Sequence, residues 1–405
     1  MMYQAYQAFS DFFEPVRWAA ALTKMGTAQL ANGHAESMLL RNIAAVSELV
    51  VNTRLTHSRP DFGIDTVAVG NEIATVTEEP AEVTPFGTLL HFKKNIDAAQ
   101  PKVLVAAPMS GHFATLLGGT IRTLLPDHDV YLTDWHNARD ISVKDGRFDI
   151  GDYTDHLIRF IETMGPGSHI VAVCQPCVAA LAAVAVMAEA GNPAQPRSMT
   201  LMAGPIDCRI NPTKVNELAT SRPIEWFENN LISNVPMGFP GAGRRVYPGF
   251  LQLTAFMSMN LGRHVKAHID LYRHLVLGDF EKAAATKTFY DEYFAVADLP
   301  AEFYLTTVKK VFQDFDLAQG RFEYGGRRVD PAAIRRTALL TVEGERDDIC
   351  SIGQTMAAHD LCSSIRPYMK KHHMQAGVGH YGVFSGNRWN NQVYPIVKNM
   401  ILANN

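Results

Sequence analysis

Four short, almost wholly apolar runs recur through the first half of the chain: Val103–Ala107, Val130–Thr133, Ile170–Val173 and Ser198–Met202. Runs of this length without polar alternation are typical of strands buried on both faces. Between them lie segments of helical character near 113–125, 151–163 and 176–190. The alternation predicts an α/β fold built on a mostly parallel, doubly wound sheet. Upstream, Val67–Thr77 and Thr88–Phe92 are rich in β-formers. They are broken by Glu78-Glu79-Pro80 and Pro85-Phe86-Gly87, which predicts two antiparallel strands.

The rhythm stops after Ala203-Gly204-Pro205 and resumes at Thr337–Val342 and Arg366–Met374, before a final helix at about 390–403. The interruption, 206–330, has few strand signals and many aromatics, among them Trp226-Phe227, Phe289-Tyr290 and Tyr293-Phe294. We expect an N-terminal helical extension over 1–60, a core over 61–205 and 331–405, and a helical cap over 206–330. An insertion of this kind tends to lie over the carboxyl ends of the strands, where ligands bind in open α/β sheets. In the extension, Tyr3, Tyr6, Phe9, Phe12 and Phe13 recur at spacings of three and four and form an apolar helical face. Such a face packs on the core or on a partner subunit, or adsorbs to an apolar body. A homodimer is one expectation.

Composition removes several classes. The chain has 405 residues, 47% hydrophobic and 19% charged, with a net charge of −4 from 37 basic and 41 acidic side chains. Disorder is excluded, and no basic balance exists to hold a nucleic-acid backbone. The longest apolar stretch, Val178–Ala188, is shorter than the ~20 residues a membrane span needs. The first basic residue is Arg17, and Asp11 and Glu14 interrupt the start, so no secretory signal is read and a cytoplasmic location is expected. Five cysteines (Cys174, Cys177, Cys208, Cys350, Cys362) make no disulfide framework.

Three segments share one logic. In His169-Ile-Val-Ala-Val-Cys174-Gln-Pro-Cys177, an apolar strand runs through a sharp turn into an apolar helix, with Cys174 at the turn. This resembles the nucleophile elbow of α/β-hydrolases, with Ala172, Cys174 and Pro176 in the G-x-S-x-G slots. A helix N-terminus favours a thiolate there. In Leu339–Ile349 an apolar strand ends in Gly344-Glu-Arg-Asp347-Asp348-Ile349, a form suited to the acid of a triad. Asp347 is the candidate by register and Asp348 its rival. In Gly377-Val-Gly379-His380-Tyr-Gly382, a glycine-flanked histidine 33 residues further on is the candidate base. His372 and His373 fall inside an expected strand and read as structural. The order Cys, Asp, His is that of α/β-hydrolases.

The loop Ala107-Pro108-Met109-Ser110-Gly111-His112 follows the strand that supplies half of an oxyanion hole. Met109 or Ser110 would donate one amide and Gln175 the other. Ser110 lacks an elbow, and His112 reads as structural or loop-orienting. Cys174 and Cys177 also spell C-x-x-C. A redox or zinc role would need a smaller fold or a second ligand pair, and Cys177 reads as a packing residue. No metal or cofactor is implied.

Together these strings resemble the bacterial intracellular polyhydroxybutyrate depolymerases over nearly the whole length. The resemblance rests on Ala107–Leu117, Asp134-Trp-His-Asn-Ala-Arg139, Val173-Cys-Gln-Pro176, Gly344–Ile349 and Gly379-His-Tyr-Gly-Val-Phe-Ser-Gly386. It implies an α/β-hydrolase fold with a cap, a Cys174–His380–Asp347 triad, and a partner in the amorphous polyester granule of the cell. Two rivals stand beside it. A polyhydroxyalkanoate synthase-like acyltransferase would carry glycines where this chain has Ala172 and Pro176. A granule-binding protein would need no chemistry.

Overall fold

The computed structural model describes residues 2–31, 38–97, 99–259 and 261–405. Its centre is a nine-stranded sheet: β1 Thr66–Val69, β2 Glu72–Val83, β3 Gly87–Lys94, β4 Lys102–Ala106, β5 Asp129–Trp135, β6 His169–Val173, β7 Ser198–Met202, β8 Ala338–Gly344 and β9 Lys370–Gln375. The spatial order is β1-β2-β3-β5-β4-β6-β7-β8-β9. The first three strands run antiparallel, β3 pairs antiparallel with β5, and the rest are parallel. This is the α/β-hydrolase fold. Chain order reverses at β4, which lies between β5 and β6, so the carboxyl ends of β4 and β6 flank a topological switch point.

Three expectations need correction. Val67–Thr77 is not one strand, because the chain turns at Gly70, whose φ is +58°, and β1 pairs back on β2. Nor does Glu78-Glu79-Pro80 end a strand. β2 runs through it, and a register shift between Pro80 and Glu82 accommodates the residue that lacks an N–H. Further on, Pro367–Met369 form a turn of helix and the last strand starts only at Lys370.

Helices α1 Met2–Ala31 and α2 Met38–Asn52 precede the sheet; α3 Gly118–Leu124, α4 Ile150–Met164 and α5 Cys177–Glu189 connect the early strands. Every residue of α5 from Cys177 to Ala185 is buried, which its all-round apolar sequence requires. The segment between β7 and β8 is mostly helical, with α6 Lys214–Thr220, α7 Ile224–Leu231, α8 Gly249–Met259, α9 Leu261–Leu277, α10 Phe280–Tyr293 and α11 Ala301–Thr307. It has a core of its own in Leu253, Tyr290, Tyr293, Phe294 and Val296. Among the described residues no helix is long and apolar enough to cross a membrane.

The aromatic face of α1 divides. Tyr3 is buried, its hydroxyl donating to Asp298 Oδ2 at 2.7 Å, and Tyr6 stacks on Phe250 with ring centroids 4.0 Å apart. Phe9 and Phe12 are 63% and 74% exposed. The first turns therefore pack on the body while Phe9 and Phe12 face outward, and further along Lys24 pairs with Glu48 of α2 at 2.5 Å.

Candidate active site

The turn after β6 places Cys174 at φ +67°, a left-handed conformation that a side chain seldom adopts. Its backbone N–H donates to Met202 O at 2.7 Å, and its carbonyl accepts from Cys177 N at 3.1 Å. The elbow lies against the end of β7 through Gly204. A Cβ added there would stand 2.2 Å from Cys177 Cβ and 3.2 Å from the Cys174 carbonyl oxygen, so the close approach needs glycine. Cys177 is fully buried, with its thiol against the carbonyls of Ala172 and Met202. It packs, as expected, and all five cysteines are free.

Asp347 leaves the end of β8 buried and points at His380, whose Nδ1 lies 2.8 Å from Oδ2. The other carboxylate oxygen accepts from the amides of Ile349 and Cys350, each at 2.9 Å. Burial alone would lower the His380 pKa. The charge of Asp347, the nearby Cys174 and hydrogen bonds to both outweigh it and hold the imidazole well above its ordinary value. Asp348 is exposed and lines the outer basin of the site. His372 and His373 remain in β9, bonded to Thr341 and Gln375.

A narrow pocket of about 50 Å³ holds Cys174, His380 and Ser110 together with Phe256 and Tyr381. It gives onto a wider basin of about 350 Å³ lined by His380, Tyr381, Phe256, His264 and Tyr293. Phe256 and Tyr293 come from the segment between β7 and β8, so that segment forms one wall. His112 also lines the inner pocket, with ring centroids 5.0 Å from Tyr293 and 5.9 Å from Phe256. Burial pushes its pKa down to about 4, leaving a neutral ring near pH 7.

The loop after β4 is tied down before it reaches the pocket. Ala107 O accepts from Trp135 Nε1 at 2.9 Å and from the Tyr153 hydroxyl at 2.7 Å. Met109 N–H donates to the side-chain oxygen of Gln175 at 3.3 Å, and Gln175 Nε2 is buried without a partner. Sequence reading names Met109 and Gln175 for their backbones and misses this side-chain contact. It also misses Glu343. This fully buried carboxylate at the end of β8 accepts from the amides of Gly353, Thr355 and Met356 and so shapes the loop beyond Asp347. An acid closing an otherwise apolar strand was the available signal.

Comparison with solved structures finds the 2-hydroxy-6-oxo-6-phenylhexa-2,4-dienoate hydrolase of Rhodococcus sp. strain RHA1 at 13% identity, covering 81% of this chain and 99% of that one, with a TM-score of 0.42. The monoacylglycerol lipase of Paleococcus ferrophilus is similar at 12% identity, covering 76% and 96%, with a TM-score of 0.43. Comparison with curated proteins finds no match. The family model described as the PHB de-polymerase C-terminus matches residues 203–405, half of the chain and the half that holds both Asp347 and His380, so the chain belongs to the polyhydroxybutyrate depolymerase family.

Proposed function

We propose that this hydrolase cleaves the ester bonds of amorphous polyhydroxybutyrate, at the surface of storage granules, through a Cys174–His380–Asp347 triad. The observation that carries the reading is the elbow: Cys174 at φ +67°, at the switch point of the sheet, sharing a pocket with His380.

Cys174 Sγ, its proton held by His380, attacks the ester carbonyl carbon. The developing oxyanion is received by the backbone amides of Gln175 and Met109, with Ser110 beside them. Donors aimed at that charge are worth several kcal/mol in such sites, ~2.7–4 for a single one. The tetrahedral intermediate collapses, the C–O bond to the neighbouring repeat breaks, and His380 gives its proton to the leaving oxygen. This leaves a 3-hydroxyl chain end and a thioester on Cys174. Water then attacks the thioester while His380 takes one of its protons. The C–S bond breaks, a carboxylic acid leaves, and the thiol is restored. Asp347 keeps the Nδ1 proton in place so that Nε2 faces the chemistry.

Release of soluble 3-hydroxybutyrate from amorphous granules tests the reading. Native protein and Ser110→Ala should release it, and Cys174→Ala should not. Release by Cys174→Ala at the native rate would remove the triad.

A further inference from the structure

One buried group of the site has no task in the chemistry above. His112 follows Gly111, whose carbonyl accepts from Ala297 N at 2.9 Å, and it pairs across a single bridge with Val296. Its side chain stands in the wall of the inner pocket, 6% exposed, against the rings of Phe256 and Tyr293. Burial keeps the ring neutral, so it carries one proton, and the hydrogen bond that favours that proton runs to the Tyr293 backbone. Nε2 is buried and has no partner. The network therefore puts the proton on Nδ1 and leaves Nε2 as an acceptor with nothing to accept. Buried polar atoms in that condition are rare, because each has given up its hydration without return.

Size and polarity decide what completes it. The pocket that His112 shares with Cys174 holds about 50 Å³, and one water takes ~10–15 Å³ of such space. A hydroxyl and a methyl fit there, and a whole second repeat of the polymer does not. The pocket wall is mostly apolar, with Phe113, Leu116, Leu117 and Phe384, so the ligand must bring the donor. A polyhydroxybutyrate repeat inside the chain has none, since its ester oxygens only accept. The carboxyl end is ionised near pH 7 and accepts too. The donor left to the polymer is the hydroxyl at its other end.

We infer that the inner pocket receives the hydroxyl end of the polyester, its terminal O–H donating to His112 Nε2 while the first ester carbonyl lies at Cys174. The inference rests on the depolymerase reading and names which end of the polymer enters. Attack there puts one 3-hydroxybutyryl group on Cys174 Sγ. The C–O bond that breaks leaves its oxygen, protonated by His380, on the shortened chain as a new hydroxyl end. Water then frees 3-hydroxybutyrate and the thiol. Cleavage thus proceeds from one end, a repeat at a time, and every turnover restores the group that His112 reads.

Two short esters differ by that hydroxyl alone: the methyl ester of the linear 3-hydroxybutyrate dimer, and the same ester ending in a butyryl group. Native protein should cleave the first with a kcat/KM at least about tenfold higher, because the butyryl end leaves the acceptor unpaired. In His112→Phe, which keeps a ring and removes the acceptor, the ratio should fall to about one. His112→Ala should do the same, so the result does not hang on the folding of one variant. A ratio near one in native protein overturns the inference, and so does a native-sized ratio in the variants. If that retained ratio comes with thioester accumulating on Cys174, read by mass spectrometry, Nε2 belongs instead to the water that releases the acyl group. On granules the first soluble product should be the monomer, and oligomers appearing before it overturn cleavage from the end. Native protein inert on both esters and on granules but active on p-nitrophenyl butyrate overturns the depolymerase reading itself.

Discussion

Asp347 divides its two oxygens between different tasks: Oδ2 lies 2.8 Å from His380 Nδ1, and Oδ1 accepts from the amides of Ile349 and Cys350. An asparagine at 347 would have to keep its carbonyl oxygen on those two amides. Its NH₂ would then face Nδ1, forcing that nitrogen to accept and placing the ring proton on Nε2. Such an imidazole cannot take a proton from the thiol. We therefore expect Asp347→Asn to keep a melting temperature near the native one and to lose kcat on p-nitrophenyl butyrate on the order of 10⁴-fold, the scale for a triad carboxylate turned into an amide. A loss below about tenfold would show that Asp347 does not set the tautomer.

The same pair makes a pH signature. Burial lowers the His380 pKa, but the Asp347 charge and Cys174 raise it further, so the net folded value lies above the unfolded one, ~6.5. A raised histidine contributes stability that is fully present below the unfolded value and is lost as pH rises through the folded one. The stability gap between native protein and His380→Gln, measured by urea unfolding across pH, should therefore be widest below about pH 6.5 and close on the alkaline side. In an Asp347→Asn background burial is left with less opposition, and the gap should largely vanish. A gap that widens with pH contradicts the assignment of charge.

How much of this could be read from the residues follows from where each signal resides. Parallel strands buried on both faces write themselves as unbroken apolar runs, so β4, β6 and β7 are legible nearly to the residue. The elbow is legible because a strand, a turn and an apolar helix follow without a gap at Cys174. The turn at Gly70 is hidden inside a run of β-formers, and Pro80 reads as a break because the register shift that tolerates it is a property of the pairing with β3. Glu343 and the Gln175 side chain act through contacts with residues that only the fold brings near.

Gln175 sits across the proposed oxyanion hole. Its side-chain oxygen takes the Met109 amide at 3.3 Å, where an ester oxygen would go, and its Nε2 is left buried and unpartnered. The contact is long, and a hydrogen bond of this kind nets only about 0.5–1.5 kcal/mol. An entering ester must displace it, and the cost falls on binding. Gln175→Ala should accordingly lower KM by up to about tenfold with kcat nearly unchanged. Gln175→Glu should place a carboxylate beside the oxyanion and depress kcat. If Gln175→Ala instead lowers kcat and leaves KM alone, the side chain positions the Met109 loop and does not occupy the hole.

Cys174 itself is held at a cost. A non-glycine residue at φ +67° gives up about 1–2 kcal/mol to the clash of its Cβ with the backbone, and the elbow keeps it there to present the thiol. Comparing Cys174→Gly with Cys174→Ala isolates that strain, because both remove the sulfur and only alanine retains the Cβ. At an ordinary helix or strand position glycine is the less stable of the two by about 0.5–1 kcal/mol, through the entropy of the unfolded chain. Here the order should reverse, with Cys174→Gly more stable than Cys174→Ala by about 1 kcal/mol in urea unfolding. Both should be inactive on granules. If alanine proves the more stable, the strain is not in the Cβ of this residue, and the stability given up at the elbow must be sought in its neighbours.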